Sequence, residues 1–196
     1  MPKEAPVTTI SSVSAPQYRI HTIASAPEKA RDALRALESA FGFIPNAAAT
    51  MAESPILLAG FVNVFRAFHG GTFTGAERQA LLLSNAVANA SAWAVAFHST
   101  LALKEGVSAD DVIAIRAKRL PKDTRLAALS AFTRALLEKR GHVDARDLAT
   151  FTGAGFRSDQ VLEVIVGLAT SAMANYAASV TTPPLEDAFK AQSWAP

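Results

Sequence analysis

The chain has 196 residues, of which half are apolar and 18% are charged, with a formal net charge of +2 and no cysteine. The lack of cysteine excludes disulfides, thiolate metal sites and thiol catalysis. The small basic excess argues against a nucleic-acid partner, because such proteins concentrate basic residues on one stripe. Here the densest basic run, Arg116 to Lys122, is followed at once by Asp123.

Residues 1–24 show no sustained periodicity, and we expect them to form an N-terminal arm. They also lack the apolar core of a signal peptide, which favours a cytoplasmic protein. Two uncharged stretches, Gln79 to Leu103 and Val164 to Leu185, are long enough to span a bilayer, which takes roughly 20 residues. Polar residues in the first stretch and Pro183-Pro184 in the second favour helices buried in protein over helices in lipid. We therefore expect no membrane partner.

The first helix is predicted from Lys29 to Phe41, where apolar residues recur at helical spacing. Ser25-Ala-Pro-Glu28 precedes it and has the pattern of a capping box with proline in the first turn. Gly42 suits the end of this helix, since glycine readily adopts the left-handed conformation. Phe43 to Asn46 is then predicted to form a turn.

The next helix is predicted to open at Ser54-Pro55 and to stop at Gly70-Gly71. Thr74-Gly-Ala-Glu77 is a second capping box, which starts the first long uncharged stretch, and Gly106 closes that stretch. Further helices are predicted from Ser108 to about Leu120, from Pro121 to Arg140, from Asp144 to Thr152, and from Ser158 to about Val180. No segment alternates polar and apolar residues as a half-buried strand does. The sequence predicts an all-α fold, with residues 25–196 in one domain.

The segment from Gly42 to Gly106 carries a resemblance to a known family. Phe43-Ile-Pro-Asn46, Ser54-Pro55, Thr74-Gly-Ala-Glu-Arg78 and Gly106-Val-Ser108 follow one another in that family's order and spacing. The pattern resembles the peroxidase-related branch of the carboxymuconolactone decarboxylase/alkylhydroperoxidase D-like family. The resemblance implies an alkylhydroperoxidase D-like helical bundle that assembles as a homo-oligomer, a dimer or a hexamer.

Active members of that family carry a glutamate, two cysteines three residues apart and a histidine. The resemblance places these positions at Gln79, Ser91, Ala94 and His98, so that only the histidine is retained. Serine is a poor nucleophile towards peroxide, alanine offers no chemistry, and a glutamine amide cannot act as a base. Glu77 lies two residues before the glutamate position and is not assigned its role. The resemblance thus implies a relative of peroxiredoxin-type antioxidant enzymes without thiol peroxidase activity.

The remaining candidate residues each have a structural alternative. His98 is either a general base or a buried histidine bonded to a backbone carbonyl or hydroxyl, and Ser91 can simply cap a helix. In a straight helix Gln79 and Ser91 would lie about 120° apart, so a break near Ser91 would help them converge. Trp93 is expected to serve packing. The other histidines show no metal-ligand spacing, and neither a metal nor another cofactor is expected.

Three hypotheses for function remain open at this stage. The first is a redox-inactive relative with a small pocket near His98 that binds a small organic ligand. The second is an enzyme that decarboxylates or isomerises a small lactone or organic acid with His98 as base. The third is a non-catalytic scaffold, that is, a purely structural or interaction protein. A pocket on which Gln79, Ser91 and His98 converge would favour the first two, and solid packing there would favour the third.

Overall fold

The computed structural model describes residues 17–196 and contains helices but no strand in that range. The α-helices are α1 (Glu28–Phe41), α2 (Asn46–Met51), α3 (Pro55–His69), α4 (Gly75–Ala88), α5 (Ala92–Lys104), α6 (Ala109–Arg116), α7 (Thr124–Glu138), α8 (Ala145–Gly153) and α9 (Ser158–Thr181). A 3₁₀ helix, Asp187–Gln192, follows near the C-terminus. The prediction of an all-α fold is confirmed.

Helix α4 lies at the centre of the fold and packs against α5, α7 and α9. Its side chains are apolar on most faces, and both Leu81 and Leu83 are fully buried. Such a helix must be enclosed by others, because burial of its apolar surface is the main gain on folding. Helices α1 and α2 lie on one side of the molecule with α3, which in turn packs along α9.

Several helix ends have the predicted cap chemistry. Thr74 and Glu77 form a reciprocal capping box, in which each side chain accepts a hydrogen bond from the other residue's backbone N–H. Ser54 caps α3 and Ser108 caps α6 through their hydroxyl groups. Gly106 follows α5 with φ +86°, a conformation that residues with a side chain rarely adopt.

Four boundaries differ from the prediction. Ser25 does not cap α1: its hydroxyl accepts from the N–H of Thr22 in the preceding turn. Helix α6 ends at Arg116 rather than near Leu120. Helix α7 begins at Thr124, three residues later than the predicted start at Pro121. Asp123 is the N-cap of α7, because its side chain accepts a hydrogen bond from the N–H of Leu126. The predicted turn at Phe43 to Asn46 is shorter, since α2 already begins at Asn46.

The two uncharged stretches have different structures. The first is divided into α4 and α5, of 14 and 13 residues, by a break at residues 89–91. The second lies largely in α9, the one helix of the described chain that is long and apolar enough to cross a membrane by length and composition. In the most apolar 18-residue segment of α9, 39% of the residues are buried inside the protein. Leu162, Ile165 and Tyr176 lie on its exposed side.

Candidate functional site

The break between α4 and α5 brings the two halves of the uncharged stretch side by side. Ala90 takes a left-handed conformation with φ +51°, which reverses the chain without glycine. The N–H of Ser91 then donates to the carbonyl of Ala86 at 3.0 Å, and α5 starts in the opposite direction. A residue early in α4 therefore lies beside a residue in the middle of α5.

Gln79 and His98 are the residues that this reversal brings together. The Nδ1 atom of His98 lies 2.9 Å from the Oε1 atom of Gln79, and both side chains are buried. Because an amide oxygen can only accept, Nδ1 carries the proton in this arrangement. The second ring nitrogen, Nε2, has no hydrogen-bonding partner in the described part of the chain. The predicted buried histidine is present, but its partner is a side-chain amide rather than a backbone carbonyl or hydroxyl.

Both residues line a cavity of about 50 Å³ bounded by α1, α2, α3, α4, α5 and α9. Its walls are mainly aromatic and aliphatic: Leu37, Phe41, Met51, Phe61, Phe65, Leu82, Trp93, Phe97 and Leu101. The polar groups on its lining are His69, Gln79, His98, Thr170 and Ser171. The lining contains no lysine, arginine, aspartate or glutamate.

The environment of His98 strongly favours the neutral imidazole. Burial lowers the pKa of His98 from its usual 6.5 to about 3, with a smaller contribution from nearby His69. At neutral pH the ring therefore carries one proton, on Nδ1. Its Nε2 lone pair is then the available hydrogen-bond acceptor of a residue that lines an apolar cavity.

His69, at the end of α3, is a cavity residue that sequence reasoning missed. Its Nδ1 lies 3.0 Å from the backbone carbonyl of Phe65, one turn earlier, and its ring packs on the Phe65 ring at 3.9 Å between centroids. Desolvation lowers the pKa of His69, and the nearby charge of Arg78 adds to the effect, whereas its bond to Phe65 and the charge of Glu105 oppose it. The sequence offers only a weak signal for this residue, a polar side chain at the end of an apolar helix.

Ser91 does not lie on this cavity. It lines a separate surface depression of about 360 Å³ between the start of α5 and the end of α9. Ser91 is the residue before α5, yet its hydroxyl makes no capping bond and has no partner among residues 17–196. Three residues on, Ala94 is fully buried in the core. The three predicted site residues therefore do not converge as a group, since only Gln79 and His98 meet.

Trp93 lies between the two positions where the resemblance places cysteines. Its indole ring stacks on Phe97 at 4.9 Å, and its Nε1–H donates to Glu186 at 2.9 Å. Glu186 also accepts from the N–H of Asn46 at the start of α2, at 2.7 Å. The segment before the 3₁₀ helix thus fixes both Trp93 and α2, and Trp93 forms part of the cavity wall.

Glu77, the acidic residue nearest the family's glutamate position, has a structural role. One carboxylate oxygen accepts from the N–H of Thr74, and the other accepts from two nitrogens of Arg125, at 2.7 and 3.0 Å. The Arg125 guanidinium lies 4.0 Å from the centre of the Phe156 ring. Glu77 does not line the cavity.

The described residues contain no group of three or more histidine, cysteine or acidic side chains that could hold a metal ion. The site therefore consists of one hydrogen-bonded glutamine–histidine pair and a second histidine, set in an apolar cavity.

No protein-family model matches the sequence, and no curated protein matches it significantly. Solved structures do resemble it. A peroxidase-related protein with an alkylhydroperoxidase AhpD core, from Ralstonia eutropha JMP134, is 19% identical with a TM-score of 0.76, over 88% of this chain and 93% of that one. A peroxidase-related protein from Silicibacter sp. TM1040 is 14% identical with a TM-score of 0.73, over 95% and 99%.

The debrominase Bmp8 is also similar, at 19% identity and a TM-score of 0.71 over 86% of this chain and 91% of that protein. At these identities the likeness concerns the backbone arrangement. The fold that the sequence resemblance implied is confirmed: the chain has the alkylhydroperoxidase AhpD fold.

Proposed function

We propose that this protein binds a small uncharged molecule in the cavity that Gln79 and His98 line, and that it does not reduce peroxides with thiols. The observation that carries the proposal is the hydrogen bond from His98 Nδ1 to Gln79, which leaves Nε2 as the available acceptor of a residue that lines an apolar cavity. A pocket with apolar walls and a few fixed polar groups is typical of small-molecule sites.

The charge and size of the cavity narrow the class of ligand. No cationic side chain lines the cavity, so the carboxylate of a bound ligand would lose its hydration without gaining an ion pair. Anionic ligands are therefore disfavoured. Its volume of about 50 Å³ exceeds the roughly 10–15 Å³ that one water needs, but is well below the roughly 150 Å³ of a cavity that binds benzene. A molecule of a few heavy atoms fits the cavity as it stands, and an aromatic ring requires the walls to move apart.

A structural neighbour supports binding without a cysteine. A cysteine-to-alanine variant of the debrominase Bmp8 forms a complex with 2,3,4-tribromopyrrole; that protein is 18% identical to this chain with a TM-score of 0.68. An organic molecule therefore binds to one protein of this fold after removal of a cysteine.

A second candidate is decarboxylation or isomerisation of a small lactone or organic acid, with His98 as general base. The fixed tautomer favours it, because Gln79 orients the ring and leaves Nε2 free to accept a proton. The pKa of about 3 opposes it, because so weak a base removes protons poorly near neutral pH. The base role requires a bound ligand that raises the pKa of His98.

Two measurements test the proposal. Peroxide consumption with a dithiol reductant in metal-free buffer should equal the rate without protein, and protein-dependent turnover would contradict the redox part. Ligand-observed NMR with compact neutral fragments should detect binding to the wild type and to the His142→Gln control, whose substitution is on the exposed surface. Binding should be lost in His98→Leu. Fragments that bind the His98→Leu variant equally well would refute the assigned site.

A further inference from the structure

The cavity presents two histidine acceptors. His98 donates its Nδ1–H to Gln79 at 2.9 Å, and His69 donates its Nδ1–H to the carbonyl of Phe65 at 3.0 Å. In both rings the far nitrogen, Nε2, has no protein partner in the described part of the chain. The two side chains come from different helices, α5 and α3, and line the same cavity.

Most of the other polar groups on the lining already have partners. The hydroxyl of Thr170 donates to the carbonyl of Val166 at 2.9 Å, and the Ser171 oxygen accepts from the side-chain amide of Asn175 at 3.1 Å. The two histidine Nε2 atoms are the side-chain acceptors on the lining that have no partner in the described part of the chain. Burial holds the pKa of each ring below 6.5, so both are neutral at physiological pH.

We propose that the cavity selects compact uncharged molecules with two hydrogen-bond donors, such as a small diol, one donor bonding to His98 Nε2 and the other to His69 Nε2. This inference rests on the proposed binding function and adds His69 as the residue that determines specificity. A cationic ligand is disfavoured by the apolar walls and the absence of a carboxylate on the lining.

The physical basis of the selection is the cost of leaving a polar group unpaired once a bound ligand excludes water from it. A ligand with one donor leaves one histidine nitrogen desolvated and unpaired, whereas a ligand with two donors satisfies both. Sites built to bond a polar group reject analogues that lack it far more strongly than apolar pockets reject a missing methylene.

Ethylene glycol and 1-propanol are matched probes, because they have the same number of heavy atoms. 1-Propanol has a methyl group where ethylene glycol has its second hydroxyl. Titrations followed by NMR should show the wild type binding ethylene glycol roughly tenfold more tightly than 1-propanol, the ratio expected from one buried hydrogen bond. In His69→Phe, which keeps the aromatic contact with Phe65, the preference should reverse, because the second hydroxyl then faces an apolar wall.

A measurement on the wild type alone makes the test independent of how well a variant folds. In ¹⁵N-labelled protein, ethylene glycol should shift the Nε2 resonances of both His69 and His98, while 1-propanol should shift only one. Equal affinity for the two probes, with no shift at His69, would overturn the inference and leave the binding proposal intact. If neither probe binds and the His98 resonance does not move, both this inference and the proposed binding function fail.

Discussion

Glu77 offers a sharp test of the division between structural and functional residues. The capping box loses one of its two bonds in Glu77→Ala, at a cost of about 1 kcal/mol. The bonds from Arg125 to the buried carboxylate are also lost, and hydrogen bonds to charged groups contribute about 1.5–3 kcal/mol. We take the lower part of that range, because the Arg125 side chain is 42% exposed and water can replace its partner.

The expected total is about 2–3 kcal/mol of unfolding free energy, or about 4–12 °C in Tm at this chain length. Urea unfolding of Glu77→Ala and of the exposed control Glu38→Ala measures it, and the control should change stability by less than about 0.5 kcal/mol. The folded variant should bind cavity ligands as the wild type does. An unchanged stability combined with lost binding would refute the reasoning and place Glu77, rather than Gln79, in the site.

The pKa of His98 is 6.5 in the unfolded chain and about 3 in the folded protein, so as the pH falls the unfolded state takes up the extra proton first. The free energy of unfolding should therefore decline from pH 6.5 towards pH 3, by up to about 1.4 kcal/mol per pH unit. Urea midpoints of His98→Leu should lack this part of the decline; identical pH dependence would contradict it. The resemblance implies a homo-oligomer, a dimer or a hexamer, and we place its interface on the exposed apolar side of α9. The mass from light scattering should exceed the 20.6 kDa of one chain, and it should approach that value in Leu162→Glu/Ile165→Glu. A monomeric wild type would contradict the prediction. Finally, the double variant Ser91→Cys/Ala94→Cys should form a reversible disulfide, because the Cα atoms of residues three apart at a helix start lie within the roughly 4.4–6.8 Å that a disulfide spans. Thiol titration before and after oxidation measures it, and two free thiols after oxidation would show that the alignment with the family is wrong.

The sequence predicts helix ends well where the cap chemistry is local. Thr74 and Glu77 satisfy each other within one turn, and the glycines that follow α1 and α5 adopt positive φ. Prediction fails where two local signals compete. Ser25 and Thr22 bond in a turn instead of capping a helix, and Asp123 is a stronger cap than the proline before it. Helix α2 has six residues and is stabilised by contacts with α3 and α9 that sequence periodicity cannot show.

The candidate site is predictable only in part for a related reason. The spacing within the family pattern pairs Gln79 with His98, because both lie on one helical hairpin. The same pattern groups Ser91 with them, yet Ser91 lies away from the cavity and lines another depression. His69 belongs to a separate helix, and its presence at the cavity depends on how α3 packs against α9, a tertiary contact without a local sequence signal.

Because of the left-handed turn at Ala90, the polar pair and the walls of the cavity come from different segments of the chain. In one continuous helix Gln79 and His98 would be about 28 Å apart, at about 1.5 Å per residue. The reversal makes their bond a property of the α4–α5 hairpin alone, whereas the cavity walls come largely from α1, α2, α3 and α9. Wall residues such as Phe61 or Met51 can therefore change during evolution and alter the shape of the acceptable ligand, while the orientation of the His98 ring is preserved.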